Sequence, residues 1–360
     1  MLWLCLGSLF FFIPFSVFAP DLLFGNTEIG EMQKQFFRLF MYLSPIHLVN
    51  ITLSIFFIGQ GKTRLVSILG LSSGILGSLL DYPFIFGVSG WLPPLGMQGA
   101  AWAIGCSESL LFIILLCLFF SRSNRQQYHT HKCTFEWPLF RDCVWVGFPS
   151  ALLTASEKFG WTAYLMLMGD AGQLHIIVAS IFNSLMFVLR VFPEGILKAI
   201  ATLTGFHIGA QQAAATKKSV QSGIVLILLY CGIVAAVAFC WPNVITQPFF
   251  SSQAQSLKES LLSPLHFSLM LLPFYVLIKG INAIFIGVLK GSRDTWFKMV
   301  WGTLSIWLFL VLPTYTLVNQ SVSVQVALLP IIGYAILSTI GYFLRLRFLQ
   351  TSLKQQINAV

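Results

Sequence analysis

Apolar residues in this chain come in long blocks rather than in alternation. Ten blocks stand out: 2–19, 36–58, 65–86, 99–120, 144–168, 174–207, 220–241, 265–289, 299–317 and 326–344. A bilayer core about 30 Å thick is crossed by roughly 20 helical residues, so each block is long enough for one crossing. Turn and charge signals part the blocks, among them Gly61-Lys62-Thr63-Arg64, Pro93-Pro94, Lys217-Lys218 and Gly291-Ser292-Arg293-Asp294. A membrane β-barrel would show short alternating segments instead. The pattern therefore predicts an all-α integral membrane protein with about ten transmembrane helices. The sixth block exceeds what a crossing needs and is expected to project beyond the membrane.

Composition agrees. Apolar residues make up 57% of the 360 and charged residues 9%, against about 25% charged in a soluble domain. Too little polar surface is left for a soluble enzyme, a disordered chain or a disulfide scaffold. The net charge of +9 raises nucleic acid as a partner, but the basic residues gather at block ends, where membrane topology accounts for them. With the amino terminus inside, 14 of the 21 Lys and Arg fall on the inner side, while the outer side receives Lys34, Arg38 and Lys258. This bias predicts a multi-pass protein with both termini cytoplasmic, surrounded by membrane lipid and without a nucleic-acid partner; its expected location is the plasma (inner) membrane. The seven Cys show no CxxC spacing and read as small core residues. Block 2–19 has no basic residue before it, and Pro20 follows Val17-Phe18-Ala19, so it reads as a retained helix rather than a cleaved signal.

Two segments share a helix, a small basic turn and a helix. Ile55-Phe56-Phe57-Ile58-Gly59-Gln60-Gly61-Lys62-Thr63-Arg64 is similar to Gly287-Val288-Leu289-Lys290-Gly291-Ser292-Arg293-Asp294-Thr295. Both turns fall on the inner side, which predicts two bundles of the same orientation. The polar stretch with His129 and His131 parts them. The expected organisation is a partial amino-terminal lobe of four helices over 1–121, a cytoplasmic inter-lobe loop over 122–142, and a carboxy-terminal lobe of six helices over 143–360.

Four local patterns resemble the multidrug and toxic compound extrusion (MATE) family of secondary transporters. Leu80-Asp81-Tyr82 with Ile85-Phe86-Gly87, followed by Leu95-Gly96-Met97-Gln98-Gly99-Ala100-Ala101, resembles the family's fifth helix and the start of its sixth. Gly147-Phe148-Pro149 with Glu157 resembles its seventh helix, with the same Pro-to-Glu spacing. Pro193, Ala199, Gly205 and Gly209 resemble the end of its eighth, and Leu289-Lys290-Gly291 with Asp294-Thr295 the turn after its tenth. The resemblance implies twelve helices in two lobes. In that register the chain's first helix matches the family's third, so the amino-terminal lobe is incomplete and the first two helices are lacking. A misassigned start codon, a split gene or a decayed gene would each explain this; a split gene implies a separately encoded fragment carrying those two helices as a partner.

Ionisable side chains inside apolar blocks point to function, because each costs roughly 2.5–3.5 kcal/mol at a helix centre. Eight are found: Asp81, Glu108, Glu157, Lys158, Arg190, Glu194, Lys198 and Lys279. Most are expected to face a cavity or one another. A carboxylate in an apolar helix can exchange a proton or hold Na⁺, which singles out Glu157; the bland alternative is a structural ion pair. The resemblance gives Glu157 a cation-coupling and substrate role, and gives Asp81 the cation site of the amino-terminal lobe. Around Asp81 the family pattern is broken: Gly77 stands where Asn is common and Ile104 where Thr is frequent. Lys279 falls where one branch of the family carries an acid facing the seventh-helix Glu, so a Lys279–Glu157 pair is expected, with the ammonium in the space of a coupling cation. Asn282 offers a polar cavity contact or is a satisfied core amide. Arg190, Glu194 and Lys198 recur at i, i+4 and i+8, either as a self-neutralising ladder or as the lining of a cleft. Glu108 is open to either reading. No cofactor is expected beyond H⁺ or Na⁺ as coupling ion, and no metal centre beyond transient Na⁺ at Glu157 or Asp81.

Other signals fail. Gly61-Lys62-Thr63 lacks the first glycine of a Walker A loop, since position 56 is Phe. No HExxH or GxSxG is present, and the chain is expected not to be an enzyme. Asn319-Gln320-Ser321 is a formal glycosylation sequon. The leading expectation is an antiporter exporting small amphiphilic, often cationic, compounds for multidrug efflux. The alternatives are a flippase of lipid-linked sugars, which would use Arg190, Lys198 and Lys279 for a pyrophosphate, and a truncated non-transporting remnant.

Overall fold

A computed structural model describes residues 12, 14–21, 28–88, 93–128, 130, 135–242, 255–320 and 322–358, and nearly all of them are helical. The helices are α1 (Glu28–Gly59), α2 (Thr63–Phe86), α3 (Met97–Phe119), α4 (Arg122–Tyr128), α5 (Trp137–Ala171), α6 (Gln173–Gly209), α7 (Ala213–Cys240), α8 (Gln255–Gly291), α9 (Thr295–Ile306), α10 (Leu312–Val318) and α11 (Val324–Asn358). A single π-helical turn, Trp307–Val311, joins α9 to α10.

Eight helical stretches are long and apolar enough to cross a membrane, and they coincide with the second to fourth and the sixth to tenth apolar blocks. The first block, 2–19, lies largely outside the described residues, as do His129, His131 and Ser321 of the sequon. The fifth block forms α5, whose 35 residues span a bilayer core with length to spare. It is not among the eight apolar stretches. Glu157 and Lys158, with Ser150, Thr154, Ser156 and Thr162, dilute its hydropathy at mid-helix.

The chain divides into two compact units, Met1–Cys143 and Val144–Val360. In the first, α1, α2 and α3 pack around Leu53, Phe57 and Leu115, with Phe56 edge-on to Phe119. In the second, one apolar cluster joins α5, α6, α8, α9 and α11 through Tyr164, Phe182, Leu265, Ile306 and Leu328. A smaller one joins α6, α7 and α8 through Ile196, Ile200, Ile227 and Ile284.

Lipid tails are as apolar as leucine, so helices in a bilayer associate by close packing rather than by expulsion of water. The α6–α8 contact shows this. A Cβ placed on Gly287 would lie 2.9 Å from the Leu197 carbonyl oxygen, and one on Gly291 would lie 2.7 Å from that of Ala201. This Gly-x-x-x-Gly face lets the two backbones approach.

The two similar turns share one backbone geometry. Gly61 N–H donates to the Ile58 carbonyl and Lys62 N–H to that of Phe57; Arg293 N–H donates to Lys290 and Asp294 N–H to Leu289. Gly61 and Arg293 occupy the same left-handed position, with φ of 77° and 64°. Both turns are therefore Schellman caps in the register the sequence alignment gives. A third copy closes α6: Gln211 N–H donates to Ile208 and Gln212 N–H to His207, with Gln211 at φ 59°.

Candidate functional site

A cavity open to its surroundings lies within the second unit between α5, α6, α8 and α11. Along α6 and α8 it falls between the two apolar clusters, so both helices carry polar residues mid-length and apolar plugs on either side. Helical periodicity sets its lining. Met186, Leu189, Arg190, Pro193, Glu194 and Leu197 form one face of α6; Tyr275, Val276, Lys279, Asn282, Ala283 and Ile286 form one face of α8; Glu157 and Trp161 are one turn apart on α5. Tyr334 of α11 completes the wall.

Four formal charges meet there. Arg190 Nε donates to Glu194 Oε1 at 2.8 Å, and Arg190 Nη2 lies 3.9 Å from Glu157 Oε2. The guanidinium thus serves two carboxylates, tightly on its own helix and loosely across to α5. The Glu157 side chain keeps 23% of its surface exposed, so the carboxylate remains reachable from the cavity. Lys279 Nζ donates to the Tyr334 hydroxyl at 3.2 Å and stands 4.3 Å from the centre of the Tyr334 ring. Asn282, 2% exposed, donates from Nδ2 to Thr339 Oγ1 at 3.0 Å and to Ser338 Oγ at 3.4 Å, tying α8 to α11.

Pro193 shapes the α6 wall. Having no N–H, it leaves the Leu189 carbonyl without its helical donor, and the Tyr230 hydroxyl of α7 donates to that oxygen at 2.9 Å. On the far side of α5, Trp307 Nε1 donates to Ser156 Oγ at 3.1 Å from the π turn, beside Glu157.

Two expectations change. The anticipated Lys279–Glu157 ion pair does not form: Arg190 takes Glu157, and Lys279 turns to Tyr334. The ladder stops at its first rung, because Lys198 is exposed and lies outside the cavity. Lys158 is exposed as well, as its angle of about 100° from Glu157 requires. Trp161, Tyr275 and Tyr334 were not anticipated. The first two sit four residues from Glu157 and Lys279, so extending each charge by one helical turn finds them; Tyr334 has no such signal.

Comparison with known proteins bears on this arrangement. The MatE family model matches residues 149–316, a span containing Glu157, Arg190, Glu194, Lys279 and Asn282. Over that span the chain is similar to the MATE family. It is 23% identical over 288 residues to a probable multidrug resistance protein NorM of Listeria innocua, covering 79% of this chain and 61% of that protein. The chain therefore spans about three-fifths of the length of such relatives. Its fold is that of a MATE protein solved in complex with MaL6, with a TM-score of 0.86 at 17% identity over 98% of this chain and 78% of that one. It also matches a MOP superfamily transporter from Pyrococcus furiosus described as having a binding pocket of reverse polarity, with a TM-score of 0.83 at 17% identity over 97% and 78% of the two chains.

The remaining candidate residues lie in the first unit. Asp81 of α2 is half-buried, and its carboxylate has no hydrogen-bond or ion-pair partner among the described residues. Glu108 of α3 is bound on both oxygens: His47 Nδ1 lies 3.1 Å from Oε1, and Asn50 Nδ2 donates to Oε2 at 2.7 Å. Glu108 thus belongs to a cluster on α1 and α3 and not to the second unit's cavity. Among the described residues, no group of three His, Cys, Asp or Glu is placed to hold a metal ion.

Proposed function

We propose that this chain is a secondary active transporter of the MATE family that exports amphiphilic compounds in exchange for H⁺ or Na⁺, with Glu157 as its coupling residue and the cavity of the second unit as its substrate site. The observation that carries this reading is a reachable carboxylate at mid-helix, loosely held by a guanidinium 3.9 Å away, on the wall of a cavity with aromatic and aliphatic sides. A dry structural ion pair would be closer and closed. Placing H⁺ or Na⁺ on Glu157 weakens its pull on Arg190 and leaves the guanidinium to Glu194, which changes the contact between α5 and α6. A 100-fold shift between two states of the cavity needs about 2.7 kcal/mol of differential binding, a range that one such charge contact can supply. The multidrug resistance name of the Listeria relative supports export. The positive-inside bias supports a multi-pass protein with cytoplasmic termini.

A flippase reading has less support. A pyrophosphate calls for several free basic groups, yet Arg190 is held by two carboxylates and Lys198 faces away. Asp81, with its unpartnered carboxylate, is proposed as a second cation-accepting position.

Resistance of a susceptible bacterial host tests the proposal. Cells making the wild-type chain should tolerate amphiphilic toxic compounds, and cells with Glu157→Gln at the same membrane level should be as sensitive as cells without it. Undiminished resistance in Glu157→Gln would remove Glu157 from the mechanism.

A further inference from the structure

We infer that the cavity receives an amphiphile carrying an acidic group, carboxylate or phosphate, and that Lys279 is its counter-ion. This deepens the transport proposal, since it names the substrate class of the same cavity. It runs against the cationic class implied by the family resemblance.

The inference rests on which charges are already answered. Glu194 and Glu157 share Arg190, at 2.8 and 3.9 Å. Lys279 has no carboxylate within ion-pair distance among the described residues, and its hydrogen-bond partner there is one neutral hydroxyl, that of Tyr334. An ammonium carries three N–H donors, so two remain to be satisfied beside the cavity. The Tyr334 ring steadies the charge through its face without neutralising it. A positive charge held in apolar surroundings with spare donors is a costly arrangement that a bound anion relieves.

The opposite ligand fits poorly. An organic cation entering this cavity meets the Lys279 ammonium, and the two carboxylates there already share Arg190, at 2.8 and 3.9 Å. An acidic group displaces no existing bond. Trp161, Met186 and Ile286 then provide apolar and aromatic wall for the rest of the molecule. An acid on Lys279 and a cation on Glu157 attract each other, so exchange would depend on the two occupying different states of the cavity rather than on competition of like charges.

Fluorescence titration of the purified full-length chain in nanodiscs tests the inference, with three dansyl probes: dansyl-undecanoate as a lipid-like acid, dansylglycine as a small soluble acid, and dansylcadaverine as an amine. At least one acid should bind roughly tenfold or more tightly than the amine, the ratio expected from one charge-assisted hydrogen bond. The tighter of the two acids identifies the source as lipid-like or soluble. Lys279→Gln should abolish most of the preference, Lys279→Arg should keep it, and Lys198→Gln on the exposed face should leave it unchanged. Tighter binding of the amine by the wild-type chain would overturn the inference without recourse to any variant. So would an acid preference that survives in a folded Lys279→Gln protein. Binding at equilibrium needs no gradient, which separates the two proposals. Acid binding without transport would sink the transport reading alone. Transport that depends on Glu157, with no acid preference, would sink this inference alone.

Discussion

Tyr230 shows how a single missing donor is handled at the site. Pro193 frees the Leu189 carbonyl, and the Tyr230 hydroxyl replaces the lost N–H at 2.9 Å while its ring stacks on Phe192 with centroids 4.4 Å apart. Tyr230→Phe keeps the stacking and removes the donor. It is expected to lower stability by about 1–3 kcal/mol, the cost of an unsatisfied buried carbonyl, read as a lower thermal unfolding midpoint in detergent. An unchanged midpoint would show that another donor reaches Leu189. At this scale much of the site was legible in the sequence, because ionic groups in apolar blocks are too costly to be incidental. Glu157, Arg190, Glu194, Lys279 and Asn282 line one cavity. Lys158 and Lys198 gave the same signal and face outward, since a long side chain can carry its charge along a helix surface toward water. Tyr334 was illegible. In a chain that is 15% aromatic a lone tyrosine is unremarked, and only the packing of α8 against α11 brings it to Lys279.

Turns and close helix contacts decide the element scale. Three Schellman caps end α1, α6 and α8, yet only the first holds glycine at its left-handed residue; Gln211 and Arg293 take that conformation at a cost. Gly61→Ala is therefore expected to destabilise by about 1 kcal/mol, and Arg293→Gly to be neutral or slightly stabilising. Paired thermal melts distinguish the two, and equal losses would contradict the cap assignment. The third cap escaped notice because Gly209-Ala210-Gln211-Gln212 lacks the basic residues that marked the other two. The α6–α8 seam makes a sharper prediction. Gly291→Ala forces a methyl to 2.7 Å from the Ala201 carbonyl oxygen and should cost about 1–3 kcal/mol, whereas Gly209→Ala, with open space at its Cβ, should cost far less. Comparable losses at both positions would mean that close packing does not hold the seam.

Across the whole molecule, the blocks of apolar residues gave the helices and their order, because a bilayer leaves the backbone few alternatives. They include the block that forms α5, although α5 is not among the eight stretches that stand out by hydropathy. Its polar centre is where Glu157 meets the cavity. The account's central claim is that this carboxylate couples a cation gradient to movement of an amphiphile. Purified chain in proteoliposomes, loaded with a fluorescent amphiphile and subjected to an imposed pH or Na⁺ gradient, tests it most directly. The account predicts release that follows the gradient in the wild-type chain, stops when the gradient is collapsed, and is absent in Glu157→Gln. Release that ignores the gradient, or that continues unchanged in Glu157→Gln, would contradict it.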